Sequence, residues 1–438
     1  MKNHMRRLSR KKGNKLDMRK GWEGSNTREV KGAVGSGTVR QRMANLELLR
    51  CVAMMMVVVL HYLGKGGLLT DLTQNSLGSV GVTAWLLESF CIVAVNVYMF
   101  ISGYFLCMSS FKVSRLLQLW LQVWVYSVSL GLLGALTGIM AENTFDIHYV
   151  LTLVFPVLMG HYWFMTSYVF LYLLLPFVGM AASRMTKKQL QIGLGFLLFV
   201  FCIVKSILPL RLEMDEQGYN YLWYLCVFLT AVYVRRFWLP TPKEMNETET
   251  IGKGFSLRKK GCSFGLYVGG CLLIFAGTIT LRAIYLHTGS LGRMLGMCME
   301  YNHILPFLAS IGLFGVFYHM EIKGKTARIV TKIAPYTLGV YLLHENIGLR
   351  YTWQNWFGAE QIVHGTWGIV KGNGMLPDVV GLLLGAGAAV LCMFAGGIIV
   401  DMARERLFVF LHGLFLHIRI YRELVGLVEK ADLTFQRT

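Results

Sequence analysis

The hydrophobic pattern of this chain consists of long apolar runs separated by short polar connections. Most runs are long enough to form a helix that crosses the ~30 Å hydrocarbon core of a bilayer. Because backbone groups in lipid must satisfy their own hydrogen bonds, the pattern predicts an all-α, polytopic transmembrane helical bundle. A weaker apolar stretch at 147–159 predicts a re-entrant or interfacial piece. The ten predicted spans lie near residues 45–63, 83–106, 116–140, 161–181, 190–208, 219–238, 264–286, 301–319, 333–349 and 379–401.

The composition supports this class of protein. Of the 438 residues, 55% are hydrophobic and 15% are charged, and the mean hydropathy is +0.50. A soluble protein of this length carries about a quarter charged residues. The nine cysteines form no CxxC pair and no metal-type spacing, so the sequence predicts neither a disulfide framework nor a metal site.

Basic residues fall unevenly along the predicted topology. The N-terminal segment, alternate loops and the C-terminal tail hold 36 of the 43 Lys and Arg residues. Since cytoplasmic loops are enriched in these residues, we expect both termini to be cytoplasmic, and ten spans agree with termini on the same side. The net charge of +19 forms no single patch, so we expect no nucleic-acid partner. The other seven basic residues are Lys65, Lys205, Arg211, Arg282, Arg293, Arg350 and Lys371.

The chain divides into three predicted regions. Residues 1–42 carry 13 basic residues and no apolar periodicity, which predicts a disordered cytoplasmic arm or a translation extension before a natural start at Met43. Residues 43–405 hold the ten predicted spans. Residues 406–438 mix apolar and basic positions, which predicts an amphipathic cytoplasmic tail on the inner membrane surface.

Polar residues inside the apolar runs are the candidates for chemistry. Arg50 and His61 enclose an apolar stretch of the first predicted helix and lie ~16 Å apart along it. An ionisable residue within a membrane helix is a functional-site candidate by default. His344 and Glu345 of the ninth predicted span would lie at a comparable depth to His61, and Arg115 begins the third predicted span.

Each candidate also has a structural explanation. His61, or His344 with Glu345, would serve as interhelical hydrogen-bonding groups, whereas Arg50 and Arg115 would anchor helix ends at the interface. Several other polar groups are predicted in the outer third of the membrane. Either they reach water there at little cost, or they line one shared cavity. They are Glu88, His161, Glu300 and His303, while Trp163, Trp353 and Trp356 are predicted interfacial aromatics.

These motifs, in this order, resemble the integral-membrane acyltransferases of family 3. The resemblance rests on Arg50 and His61 with ten residues between them, on Phe100-Ile-Ser-Gly-Tyr104, and on Arg115. Downstream matches are Tyr162-Trp-Phe164, Tyr172-Leu-Leu-Leu-Pro176 and Gly339-Val-Tyr-Leu-Leu-His-Glu345. The resemblance covers roughly residues 40–401. Many relatives carry a further esterase-like domain after the membrane body, whereas here only a short tail follows.

The resemblance implies transfer of an acyl group, usually acetyl, from acyl-CoA to a hydroxyl of a cell-surface or lipid-linked carbohydrate. Acyl-CoA would be a co-substrate, with no permanently bound cofactor. His61 matches the residue regarded as catalytic in the family, and Arg50 and Arg115 match arginines linked to activity or donor binding. Such a protein would be a multi-pass protein of the bacterial cytoplasmic membrane.

The mechanism stays open at this point. His61 would act as a general base on the acceptor hydroxyl or as a nucleophile that carries the acyl group, with Glu345 or His344 orienting its ring. A transporter or flippase for a small solute or glycan intermediate is the main alternative, since intramembrane His and Glu also suit proton relays. The chain shows no internal repeat of the kind common in transporters. A scaffold for a polysaccharide-export complex is a third class.

Overall fold

The computed structural model describes residues 43–137, 146–208, 216–239, 260–366 and 375–436. Within these ranges the secondary structure is helical and no strand occurs, so the predicted all-α class is confirmed. The predicted arm at 1–42 lies outside the described residues. Lys371 and Arg211, two of the seven dispersed basic residues, also lie outside them.

The first half of the bundle contains both long and short helices. A two-residue break at Ile92 and Val93 divides the second predicted span into two helices that continue in one apolar run. The helices are α1 (Ala44–Lys65), α2 (Gly78–Cys91), α3 (Ala94–Leu106), α4 (Val113–Thr137), α5 (Ile147–Val154), α6 (Trp163–Arg184) and α7 (Lys187–Leu198). A π-helical segment, Phe199–Val204, continues α7 to a last turn at Lys205–Ile207.

The second half ends in a long helix and an amphipathic one. The helices are α8 (Tyr221–Phe237), α9 (Lys260–Thr288), α10 (Ile304–Tyr318), α11 (Gly324–Ile333), α12 (Thr337–His344), α13 (Ala359–Val363), α14 (Met375–Phe415) and α15 (Arg419–Gln436). The predicted tail is therefore helical, but its first residues belong to α14, and a second helix follows them.

Eight segments of the described chain are long and apolar enough to cross a membrane, which supports a polytopic bundle. The other two of the ten predicted spans, 219–238 and 333–349, form shorter helices. Helix α8 has 17 residues, at the lower limit for a bilayer-crossing helix. Helix α12 has only eight, because Pro335 lies in the 3₁₀ turn before it and the helix ends at His344.

Helix α1 lies at the centre of the bundle. It packs against α2, α3, α10, α11, α12 and α14, and most of its side chains are buried. Glycines allow the closest helix approaches nearby: a Cβ atom at Gly103 would lie 2.9 Å from the Ala231 side chain of α8. Within this interior, the last turn of α1 meets the end of α12.

Candidate active site

His61 and Lys65 share one face of the last turn of α1. They are four residues apart, which places their side chains on the same side of a helix. Both side chains are about one-fifth exposed, so each is partly shielded but remains accessible from outside the protein. This face of α1 points at the carboxyl end of α12.

His344 forms a hydrogen-bonded link between α12 and His61. Its Nδ1 lies 2.6 Å from the Val340 carbonyl oxygen, one turn earlier in α12. A carbonyl only accepts, so Nδ1 must carry the proton and donate it. The neutral ring then presents an unprotonated Nε2, which lies 2.9 Å from Nδ1 of His61. His61 therefore donates its Nδ1 proton to His344.

The consequence of this chain of hydrogen bonds is a fixed tautomer of His61. With the proton on Nδ1, the neutral imidazole has its lone pair on Nε2. No hydrogen bond from the described residues reaches that Nε2 atom. His61 thus offers an oriented basic nitrogen on a half-buried side chain.

Glu345 is the anionic centre of the cluster. Its carboxylate is buried and lies 3.2 Å from His61 Nδ1. Lys65 forms an ion pair with it, and Arg350 Nη1 lies 3.7 Å from the same carboxylate. Two cations at one buried carboxylate compensate its charge, and the carboxylate would in turn stabilise a protonated His61.

The turn after α12 is held in place by α4 and by the residues that precede α6. Nε2 of His161 accepts a hydrogen bond from the Ile347 amide at 2.9 Å, so its Nδ1 donates to Ser127 at 3.0 Å. The His161 carbonyl accepts from Arg350 at 3.1 Å. His161 is therefore a fully bonded neutral histidine that positions the turn carrying Glu345.

Two further side chains support the cluster from the segment after this turn. Trp353 is buried and donates through Nε1 to the His344 carbonyl at 3.0 Å. Gln354 donates through Nε2 to the carbonyls of His61 and Arg350. The interpretation of Trp353 as an interfacial aromatic is therefore wrong, because its indole N–H is needed inside the protein; Trp356 is exposed as that interpretation requires.

The geometry of His61, His344 and Glu345 would also suit a metal, since one ligand atom from each lies within 4.8 Å of the others. However, the two imidazoles already bond to each other, and Lys65 and Arg350 surround the carboxylate. A divalent cation bound there would have to displace Lys65 and Arg350 or be repelled by their positive charges. The contacts favour a proton-transfer cluster over a metal centre.

The two candidate donor-binding arginines lie apart from this cluster. Arg50 forms an ion pair with Glu47 at 2.7 Å and is 26% exposed, so part of its guanidinium, with its N–H donors, remains accessible. Arg115 is exposed in the first turn of α4, next to Ser114, which binds the carboxylate of Asp432 on α15. Within the described chain, neither arginine shares a hydrogen bond or ion pair with the His61 cluster.

Comparison with models of protein families shows which family this chain belongs to. The model of acyltransferase family 3, an acyltransferase domain, matches residues 43–402. The chain belongs to this family. Comparisons with curated proteins and with solved structures gave no significant match. The resemblance drawn from the sequence motifs is thus confirmed, and the apolar helices make the protein a multi-pass membrane acyltransferase.

The matched acyltransferase domain contains the whole His61 cluster and both arginines, whereas α15 lies beyond it. The other outer polar residues do not all join the cluster. Glu300 forms an ion pair with Lys205 at 3.1 Å, and His303 caps α10 by accepting from the Leu305 amide at 3.3 Å. Glu88 is buried in α2.

Sequence reasoning did not select Lys65, Arg350 or Glu47 as site residues. A signal for the first two was present, because both belong to the seven basic residues outside the predicted cytoplasmic side. Three of those seven pair with a candidate carboxylate: Lys65 and Arg350 with Glu345, and Lys205 with Glu300. Glu47 could have been found from its position three residues before Arg50 on a helix.

Proposed function

We propose that this acyltransferase moves an acyl group, acetyl in the simplest case, from acyl-CoA to a hydroxyl of a cell-surface or lipid-linked carbohydrate. The reaction forms an ester and releases free coenzyme A. The observation that carries this proposal is the fixed tautomer of His61, because a neutral imidazole with a free Nε2 is the group needed to take a proton from a hydroxyl.

The chemical step follows from the hydrogen-bond chain. Nε2 of His61 removes the acceptor hydroxyl proton as the oxygen attacks the thioester carbonyl carbon. The tetrahedral intermediate collapses by breaking the C–S bond, and the thiolate leaving group takes the proton from the imidazolium. Glu345, at 3.2 Å from Nδ1, stabilises the imidazolium between these two transfers.

The donor would reach this cluster along α1. Coenzyme A carries several phosphate charges. Because its guanidinium is partly exposed, Arg50 can release Glu47 and bind a phosphate oxygen instead. Arg50 and His61 are separated by ~16 Å of helix, a distance that an extended pantetheine arm can cover. Arg115 would add a second phosphate contact. In this arrangement the arginine end and both termini face the cytoplasm, in a bacterial cytoplasmic membrane.

The test is a partial reaction of the purified protein in lipid nanodiscs. Wild-type protein with acetyl-CoA should release free thiol and transfer radiolabelled acetyl to a carbohydrate acceptor extract. His61→Ala should lower both by about a thousandfold or more, because general-base and nucleophilic roles both require the imidazole. A histidine exposed at the end of α9 provides the matched control, and His287→Ala should leave both rates unchanged.

Two results would change the proposal. Thiol release by the His61→Ala protein at the wild-type rate would remove His61 from the chemistry. Solute uptake by proteoliposomes without thioester cleavage would favour a transporter instead. Label that stays on the wild-type protein after a rapid quench, and is absent from His61→Ala, would identify an acyl-imidazole rather than a general base.

A further inference from the structure

Three aromatic rings form a cluster at the start of α6. The Trp163 ring lies 4.7 Å from the Tyr219 ring and 5.9 Å from the Tyr301 ring, which it faces at an angle of 18°. Tyr219 and Tyr301 lie 4.7 Å apart. Tyr219 is 40% exposed and Trp163 is half-buried, so the cluster presents an accessible aromatic surface. We call these three residues the aromatic platform.

A buried carboxylate accompanies the aromatic platform. Glu88 of α2 is only 9% exposed, and its Oε2 makes no hydrogen bond with the described residues. Glu88 lies about two helical turns before Asn96 in one apolar segment, and Asn96 bonds to the Tyr301 carbonyl. A buried carboxylate oxygen without a partner is costly in a membrane protein, so Glu88 offers an acceptor to a donor group of a ligand.

The second carboxylate nearby differs in this respect. Glu300 directly precedes Tyr301 and forms an ion pair at 3.1 Å with Lys205, a lysine with only 4% exposure. Its charge is therefore compensated within the protein. Glu88 is left as the carboxylate through which the platform would recognise a hydrogen-bond donor.

Local backbone features fix the platform in position. Gly218 has a φ of +87°, and a Cβ atom there would lie 2.9 Å from the Tyr301 Cβ, so only glycine lets Tyr219 come this close to Tyr301. Asn96 donates to the Tyr301 carbonyl at 2.7 Å. Asn302 donates to the Phe201 carbonyl of the π-helical segment at 3.1 Å. The surface is built before any ligand arrives.

The platform is continuous with the catalytic cluster. Trp163 contacts Phe164, Phe164 contacts Tyr341, and Tyr341 contacts His344, with ring separations of 5.9, 6.0 and 6.1 Å. Trp163 also follows His161 by two residues, and the His161 carbonyl accepts a hydrogen bond from Arg350, whose Nη1 lies 3.7 Å from Glu345. A molecule lying on the platform would therefore be near the turn that carries Glu345.

We propose that the aromatic platform and Glu88 form the acceptor subsite, which holds a hydroxyl-rich sugar ring beside His61. This inference rests on the proposed acyl transfer. The C–H faces of a pyranose ring pack on aromatic rings, whose faces carry partial negative charge. A carboxylate accepts hydrogen bonds from ring hydroxyls, and a pocket of aromatic walls with a few placed polar groups is a typical small-molecule site.

The experiment compares two acceptors that share an alkyl chain. Octyl β-D-glucoside, kept below its micelle concentration, carries a sugar ring, whereas n-octanol carries only a hydroxyl. Acetyl transfer from acetyl-CoA is measured by mass spectrometry with protein in nanodiscs. The wild-type KM should be at least about tenfold lower for octyl glucoside than for octanol, because only the glucoside gains the hydrogen bonds and the ring contact.

Glu88→Gln and Trp163→Ala should each raise the KM for octyl glucoside by roughly tenfold without raising the KM for acetyl-CoA. Trp163→Phe keeps a ring and should recover most of the affinity. Trp356 and Glu360 are exposed residues of the same types, so Trp356→Ala and Glu360→Gln are matched controls and should change neither constant.

Three results would overturn the subsite: equal KM values for the two acceptors, transfer to neither of them, or unchanged glucoside KM values in the Glu88 and Trp163 variants. None of these results touches the proposed acyl transfer itself. That proposal fails only if wild-type protein shows no thioester cleavage that depends on His61.

Discussion

The two ends of helix α1 hold their polar residues in opposite ways. At the carboxyl end, His61 and Lys65 bond to residues nearly three hundred positions away, and the shared carboxylate of Glu345 is buried. At the amino end, Arg50 has a partner three residues away on its own helix and is partly open to solvent. The first arrangement is assembled by the fold, whereas the second needs little more than the helix.

This difference matches the two tasks that the ends would perform. A reacting base must already have its tautomer and its counter-charge in place, because reorganisation during the reaction raises the barrier. A binding cation must give up its resting partner for a ligand, and a partly exposed pair costs little to break. Damage at the carboxyl end should therefore lower kcat, and damage at the amino end should raise the donor KM.

The largest effect should follow from Glu345→Gln. The amide keeps the size of the side chain but cannot stabilise a protonated His61, and Lys65 and Arg350 would repel that charge. We expect kcat to fall by about a hundredfold, with little change in the KM for acetyl-CoA. Steady-state kinetics in nanodiscs would measure both constants.

Glu360→Gln provides the matched control for this change, because Glu360 is exposed on the short helix α13. Adding Lys65→Met to Glu345→Gln should recover part of the lost kcat, since it removes a positive charge left without its partner. A change confined to the donor KM would contradict the separation of the two ends.

A smaller effect should follow from Arg50→Ala. Loss of the guanidinium should raise the KM for acetyl-CoA by about tenfold while kcat changes little, and Arg115→Ala should act in the same direction. Arg50→Lys should recover only part of the affinity, because an ammonium cannot bind a phosphate through two parallel hydrogen bonds. Titration of acetyl-CoA at saturating acceptor would provide these values.

Arg328 is exposed on α11, so Arg328→Ala is the control for loss of one basic residue. If Arg50→Ala lowers kcat and leaves the donor KM unchanged, Arg50 serves the structure or the chemistry rather than the binding of the donor.

Much of the fold could be predicted from the sequence because a bilayer imposes a simple rule on apolar runs. The rule failed where a run is interrupted: Pro335 precedes α12, so the predicted span at 333–349 contains a helix of only 8 residues, and the 10-residue helix α11 lies almost entirely in the connection before that span. The rule also does not locate a break such as the two-residue one between α2 and α3, where no proline marks the interruption.

The candidate site was predictable to the extent that its residues stand out from apolar surroundings. His61, His344 and Glu345 do so, and the structure brings them together. Lys65 and Arg350 stand out only as two of the seven basic residues outside the predicted cytoplasmic side, and they follow apolar runs at positions where basic residues usually contact lipid headgroups or water. Their pairing with Glu345 depends on how α1 and the turn after α12 pack, and spacing along the chain carries no information about that contact.

The smallest effect, and one of opposite sign, should come from Asp432→Asn. Asp432 of α15 accepts hydrogen bonds from the amide and hydroxyl of Ser114, directly before Arg115, so it places a negative charge where a donor phosphate would bind. Asparagine keeps an acceptor oxygen for the Ser114 amide but carries no charge. The KM for acetyl-CoA should fall by about twofold to threefold, and more so at low salt, where charges are less screened. Glu423→Gln, on the same helix in an exposed pair with Arg419, should leave it unchanged. An unchanged donor KM in Asp432→Asn would place the phosphate path away from the start of α4 and leave Arg50 as the principal cation of the donor end.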